Sequence, residues 1–287
     1  MRLNASAILP LALAAVLLPS PVTAAGVFAD ISGTDSGSCG ASSSACRTLQ
    51  QAVTNASAGD TVFLTVAGDY GPATIDKTLF IQAVKGAGVF SPPSVPCITV
   101  DGDATTRVGI VELTCDQDGA AQHGIVYLTA NSLRFDRVDI RGGTGGKCGL
   151  FVNPSTDAVI GLSHTTISNF SGGNGGGICV TAPAGIRVWG MAERATLDNN
   201  QNGVVFTATA GGPGAAMFFS YSDIHTNNVG VNAIGTAAKI YLRTTDVSSN
   251  FVMGLKRSSG GQIVSSGLNS VKGNAVDGTF SSISATE

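Results

Sequence analysis

Charge is what this chain has least of. Asp, Glu, Lys and Arg together make up 12% of its 287 residues, and the formal net charge is −3. No stretch clusters Lys and Arg, which excludes the basic stripes that exchange for counterions on nucleic acid and the basic faces that settle on anionic membranes. So few charges also leave little polar surface for amphipathic helices. Histidine occurs three times and no CxxC pair is present, so the usual zinc-ligand spacings are missing. The apolar run from Ile8 to Leu18, broken by Pro10, falls short of the ~20 residues that cross a bilayer.

That run follows Arg2 and precedes Val22-Thr23-Ala24, the order of a secretory signal cleaved near Ala24. Residues 1–24 are therefore read as a signal peptide and 25–287 as the mature domain. The mature domain is secreted or periplasmic, with no membrane span once the signal is removed. Six Cys in an exported chain point to as many as three disulfides among fifteen pairings. Cys39 and Cys46 enclose the short loop GASSSA and form the most natural pair. Cys97 with Cys115 and Cys148 with Cys179 follow from proximity alone.

Gly, at 38 residues, leads a composition rich in Ser, Thr, Asn and Val, which favours strands and turns. A period organises them. Gly followed by an apolar residue recurs at Gly124-Ile125, Gly149-Leu150, Gly177-Ile178, Gly203-Val204, Gly230-Val231 and Gly254-Leu255, 24 to 28 residues apart. A second apolar column runs through Val111, Val138, Ile167, Leu197, Ile224, Val247 and Val271, and a third through Leu133, Ile160 with Leu162, Met217 with Phe219, and Ile240 with Leu242. Each repeat thus holds three short apolar stretches between turns, too short and too β-branched for helices. This is the signature of an all-β solenoid, a single-stranded parallel β-helix.

Asn200, Asn227, Asn250 and Asn274 each lie three residues after their anchor. At a bend between strands an Asn tolerates left-handed backbone and bonds the equivalent amide one coil away, so these four are expected to form a structural ladder. Leu49 to Asn55 has apolar residues at helical spacing and Gly59 beyond it, a short N-terminal helix that would cap the open end of the stack. The cap is placed at 27–60, the coils at 61–278 and a tail at 279–287, with first strands at 58–66 and 74–83.

The order Cys-x6-Cys-Arg-Thr-Leu-Gln-Gln-Ala, AGDTVFL and GDYGPATIDKTLFIQA, followed by Asn-Gly coils, resembles exported bacterial right-handed parallel β-helix repeat proteins of the pectin-lyase-like superfamily. The resemblance implies that fold and says little of function, because one architecture serves lyases, hydrolases, esterases, adhesins and non-catalytic surface proteins. The polygalacturonase-like, pectin-methylesterase-like and pectate-lyase-like motifs have no counterpart here. The resemblance therefore carries no catalytic residue into the chain.

Two readings of function remain. The first is a non-catalytic scaffold or carbohydrate-binding module whose partner is a polysaccharide or cell-envelope component, with no cofactor. The second is a polysaccharide lyase or related enzyme acting on acidic, uronate glycans. It draws on the densest charged region. Aligning Val111 with Val138 sets Glu112 beside Asp139 and Thr114 beside Arg141 on the outer face, where stacked carboxylates raise each other's proton affinity and an Arg holds a uronate. Candidate catalytic residues are then Glu112, Asp139 and Arg141, with Asp116, Asp118 and Arg137 as binding candidates. The D-x-D-G of Asp116 and Asp118 would touch Ca²⁺ only under this lyase reading, and no metal site is otherwise implied. The bland alternative is that Arg137 and Arg141 pair with Asp136 and Asp139 on a half-exposed strand. Trp189 and Tyr221 read as isolated packing aromatics, and His123, His164 and His225 fall in different columns.

Overall fold

The computed structural model describes residues 25–92, 94–117, 122–143, 145–173, 175–209 and 214–283. Asp118 and the signal segment 1–24 lie outside the described residues. Three parallel sheets of eleven, nine and eight strands wind around one core, here termed sheets 1, 2 and 3 in the order the chain visits them. One coil shows the path: Ser132–Asp136 in sheet 1, Asp139–Arg141 in sheet 2, Cys148–Val152 in sheet 3, then Ala158–Ser163 back in sheet 1. Leu133 pairs in parallel with Ile160, Ile140 with Ile167, and Leu150 with Ile178. The architecture is a right-handed parallel β-helix.

Side chains alternate across each strand, so one set from every coil points inward and stacks on its equivalents ~4.8 Å away. Ile125, Leu150, Ile178, Val204, Val231 and Leu255 form one such buried column, and Ile167, Leu197, Ile224 and Val247 another. Burying each of these side chains is worth roughly 1.5–3 kcal/mol. The glycine ahead of the first column is there for space. A Cβ on Gly230 would lie 2.7 Å from the Gly254 carbonyl and 2.9 Å from the Asn250 amide nitrogen, so the coil closes only where no side chain intervenes.

In the first coils the second column differs from the sequence expectation. The residues beneath Ile167 are Ile140 and Cys115, not Val138 and Val111. Val138 lies two residues ahead of Ile140, a slip that leaves it on the inner face, whereas Val111 is half-exposed in sheet 1, paired with Asp136, and lies beyond the bend from Cys115.

The four Asn form a ladder at the bend from sheet 2 to sheet 3. Their side-chain oxygens accept the backbone N–H one coil earlier, Phe170 to Asn200, Asn200 to Asn227 and Asn227 to Asn250 at 3.0 Å each, and Asn250 to Asn274 at 2.9 Å. Their side-chain amides donate to the carbonyls of Ile167, Leu197, Ile224 and Val247. The left-handed turn falls one residue earlier than expected, on Asn199, Thr226, Ser249 and Gly273. The ladder residue itself is left free to point inward.

Helix α1, Leu49–Asn55, starts where the Thr48 hydroxyl accepts the N–H of Gln51 at 3.2 Å, and it buries Leu49, Ala52 and Val53 beneath the first coil. The segment assigned to the cap also supplies a strand, Gly26–Ala29, at the edge of sheet 1. The loop around Cys39 and Cys46 covers that edge: Phe28 N–H donates to the Gly40 carbonyl and Cys46 N–H to the Phe28 carbonyl. The early strands are Thr61–Leu64, Ala73–Ile75 and Leu79–Ala83; the last two belong to different sheets, since the Asp76-Lys77-Thr78 turn divides the stretch read as one. At the other end Ser282–Ile283, within the expected tail, pairs with Val264 and Ser265. Disulfides join Cys39 to Cys46, Cys97 to Cys115 and Cys148 to Cys179. No helix among the described residues is long and apolar enough to cross a membrane.

Candidate functional site

From the coil that contains Glu112 onward, the bend from sheet 1 to sheet 2 is built the same way. Glu112, Arg137, His164, Arg194, Tyr221, Thr244 and Leu268 occupy it with φ between 48° and 60°. From Glu112 to Thr244 each backbone N–H donates to a carbonyl of the next coil at 2.9–3.2 Å. That bond fixes a left-handed pose that non-glycine residues otherwise avoid. The register follows from it: Glu112 stacks on Arg137, Thr114 pairs with Asp139, and Asp116 pairs with Arg141. The expected neighbours Glu112 with Asp139 and Thr114 with Arg141 are therefore corrected by the same two-residue slip.

The structure nonetheless brings most charged candidates together. Glu112, Arg137, Asp139 and Arg141 line one groove of about 500 Å³ with Lys85 and Phe90. Arg137 binds the Glu112 carboxylate through Nε at 3.0 Å and the Asp136 carboxylate through Nη1 at 2.6 Å. Arg141 binds Asp139, and that hydrogen bond, followed by the charges of Asp139 and Asp116, holds the guanidinium above its usual pKa. Glu112 and Asp139, the acidic residues among the described lining, are thus already clamped by arginines, and among the described residues no group of three or more His, Cys, Asp or Glu is arranged to hold a metal.

Histidines do not converge on the groove. His164 Nδ1 lies 2.9 Å from Ser163 Oγ and 3.6 Å from Asp136 Oδ1. His225 Nδ1 lies 2.8 Å from Thr226 Oγ1. His123 stacks on Phe151 at 4.2 Å, and burial, aided by the Lys147 charge, lowers its pKa to about 4.

The outer face of sheet 1 carries what the residue-by-residue reading missed. Toward the N-terminal end, Phe80, Arg107, Gly109, Asn131, Ser132, Arg134 and Val159 line a depression of about 600 Å³ with no acidic residue among the described residues of its wall. Further along the same face the indole of Trp189 lies parallel to Phe218, centroids 5.6 Å apart, and Phe218 lies parallel to Tyr241 at 4.5 Å. Trp189 is 47% exposed and Met191 66%. Trp189 is therefore part of an array rather than isolated. Strand alternation held the signal: with Met217, Phe219, Ile240 and Leu242 inward, Phe218 and Tyr241 must face out.

A parallel β-helix with a charged bend and an aromatic outer face defines an architecture, not a family. No protein-family model matches the chain, and no curated protein matches it. Among solved structures the chain is similar to the crystal structure of pectate lyase Pel9A, with a TM-score of 0.62 and 12% identity, covering 85% of this chain and 68% of that one. At that identity the likeness concerns the fold.

Proposed function

We propose that this protein is an exported, non-catalytic β-helix that binds polysaccharide or another glycan of the cell envelope along the outer face of sheet 1. The observation that carries the proposal is the row of exposed and half-exposed apolar and aromatic side chains on that face, Phe80, Val159, Trp189, Met191, Phe218 and Tyr241, beside Arg107 and Arg134, which make no ion pair among the described residues. Such a face suits sugars, whose C–H surfaces stack on aromatics and whose hydroxyls need donors at the rim. Three disulfides support an oxidising compartment, periplasmic or extracellular. The fold's likeness to a pectate lyase supports a carbohydrate-related role in general.

The second reading, a lyase acting on uronate glycans through Glu112, Asp139 and Arg141, draws its support from the groove that these residues share. A lyase needs a free base beside cations that hold the uronate, and the arginine clamps on both carboxylates weigh against one. Incubating the mature protein with uronate polymers, with and without Ca²⁺, separates the readings. Retention on glycans without unsaturated ends or new reducing sugar is the expected result. Turnover that Asp139→Ala abolishes would establish the lyase instead.

A further inference from the structure

The chain's one tryptophan ends the aromatic row; Val159 pairs with it on the preceding strand, and the place beside Met191 is left empty by Gly161. Parallel rings at 5.6 and 4.5 Å must stand on edge along the helix axis, each covering a face of the next. The stack therefore closes on two outward faces. At the Tyr241 end the paired residue of the next strand is Val264, which is buried there and fills the space. At the Trp189 end the preceding strand offers Val159, in register with Trp189, and Gly161, in register with Met191. Gly161 has no side chain to fill its place. A Cβ built on it would meet nothing closer than Arg134 Cγ at 3.5 Å, an ordinary contact.

The result is a notch with a backbone floor. Met191 is in register with Gly161 on one side and Arg134 on the other, with Trp189 two residues before Met191 on the same outer face, and Arg134 also lines the neighbouring depression with Asn131, Ser132 and Arg107. A wholly apolar ligand would leave its outer surface dry against water. A ligand with one C–H face and a hydroxylated rim satisfies the indole, the guanidinium and the solvent together.

We propose that Trp189, Met191, Gly161 and Arg134 form a saccharide-stacking subsite, in which one pyranose unit of a polysaccharide lies over Gly161 against the exposed parts of the indole and Met191 while Arg134 donates to its hydroxyls. The proposal rests on the reading of sheet 1 as the glycan face. Because Trp189 is the only tryptophan, its emission reports occupancy directly. Titration with cellohexaose, xylohexaose and hexagalacturonate is expected to shift or quench that emission saturably with at least one of them, and the arms separate neutral from acidic chains.

Gly161→Leu fills the notch at a site where a Cβ makes only an ordinary contact, so the variant should keep its far-ultraviolet circular dichroism and Tm while binding at least tenfold more weakly. Trp189→Ala should lose retention in affinity electrophoresis to a similar degree. Retention of the wild type with undiminished retention of Gly161→Leu would overturn the subsite and leave the glycan face standing. Failure of the wild type to bind any glycan would overturn both.

Discussion

The side-chain oxygen of Asn250 accepts two N–H groups of Asn227, the backbone one at 3.0 Å and the carboxamide one at 3.1 Å. Asn227 in turn accepts from the backbone of Asn200 and donates to the Leu197 carbonyl, all in the buried interior. Replacing it by Ala strands two main-chain groups that water cannot reach. Asn227→Ala should therefore lose about 2–4 kcal/mol of stability in urea denaturation, whereas a purely decorative ladder would lose almost nothing.

Space, rather than bonding, sets the second prediction. Gly230→Ala places a methyl against the Gly254 carbonyl and Val247 Cγ1, both 2.7 Å away. Overpacking of this kind costs about 1–3 kcal/mol, and a lowered Tm in calorimetry checks it.

The third concerns pH. His123 is held neutral by burial, with its pKa lowered to about 4, so the unfolded chain binds this proton more readily than the folded one between about pH 6.5 and pH 4. Its contribution to stability is complete above the unfolded value and is lost as pH falls through that window. Tm should decline across it, and His123→Phe, which keeps a ring on Phe151, should flatten the decline. Asp30 and Asp103, lowered chiefly by hydrogen bonds from Ser32 and from Thr105, lose their contribution as pH falls through and below the ordinary carboxylate range, at the acid edge of this window, and they do so equally in the His123→Phe variant.

Opening the N-terminal staple is the fourth. Cys39 and Cys46 are seven residues apart and fix the loop that covers the Gly26–Ala29 edge. The double variant Cys39→Ser with Cys46→Ser should lose about 2 kcal/mol and expose an unpaired strand edge. Sedimentation velocity should then show concentration-dependent oligomers that the parent protein does not form.

How much of this was legible in the sequence depends on what each residue reports. The pair Gly203-Val204 and the anchor Ile224 each mark one fixed place in a coil, so their recurrence encodes winding directly. Val138 misleads because a two-residue slip to Ile140 keeps it inward, and Val111 because it is an apolar residue on the outer side of sheet 1; the pairing of Val111 with Asp136 and the backbone bond from Glu112 to the Asp136 carbonyl settle the register. Helix α1 was readable from Leu49, Ala52 and Val53, whereas the strand at Gly26–Ala29 was not, since its partner at Thr61–Leu64 lies some 35 residues on, outside the coil period. The aromatic row was hidden for another reason: Trp189, Phe218 and Tyr241 become neighbours only after the coils are stacked.

The left-handed bend through Glu112, Arg137, His164, Arg194, Tyr221, Thr244 and Leu268 holds an acid, bases, an aromatic, an alcohol and an alkyl group in one backbone pose. Since main-chain bonding between coils sets that pose, the side chain contributes little to holding it. The bend works as a pegboard, a line of evenly pitched sockets whose fittings can be exchanged one at a time without rebuilding the wall behind them.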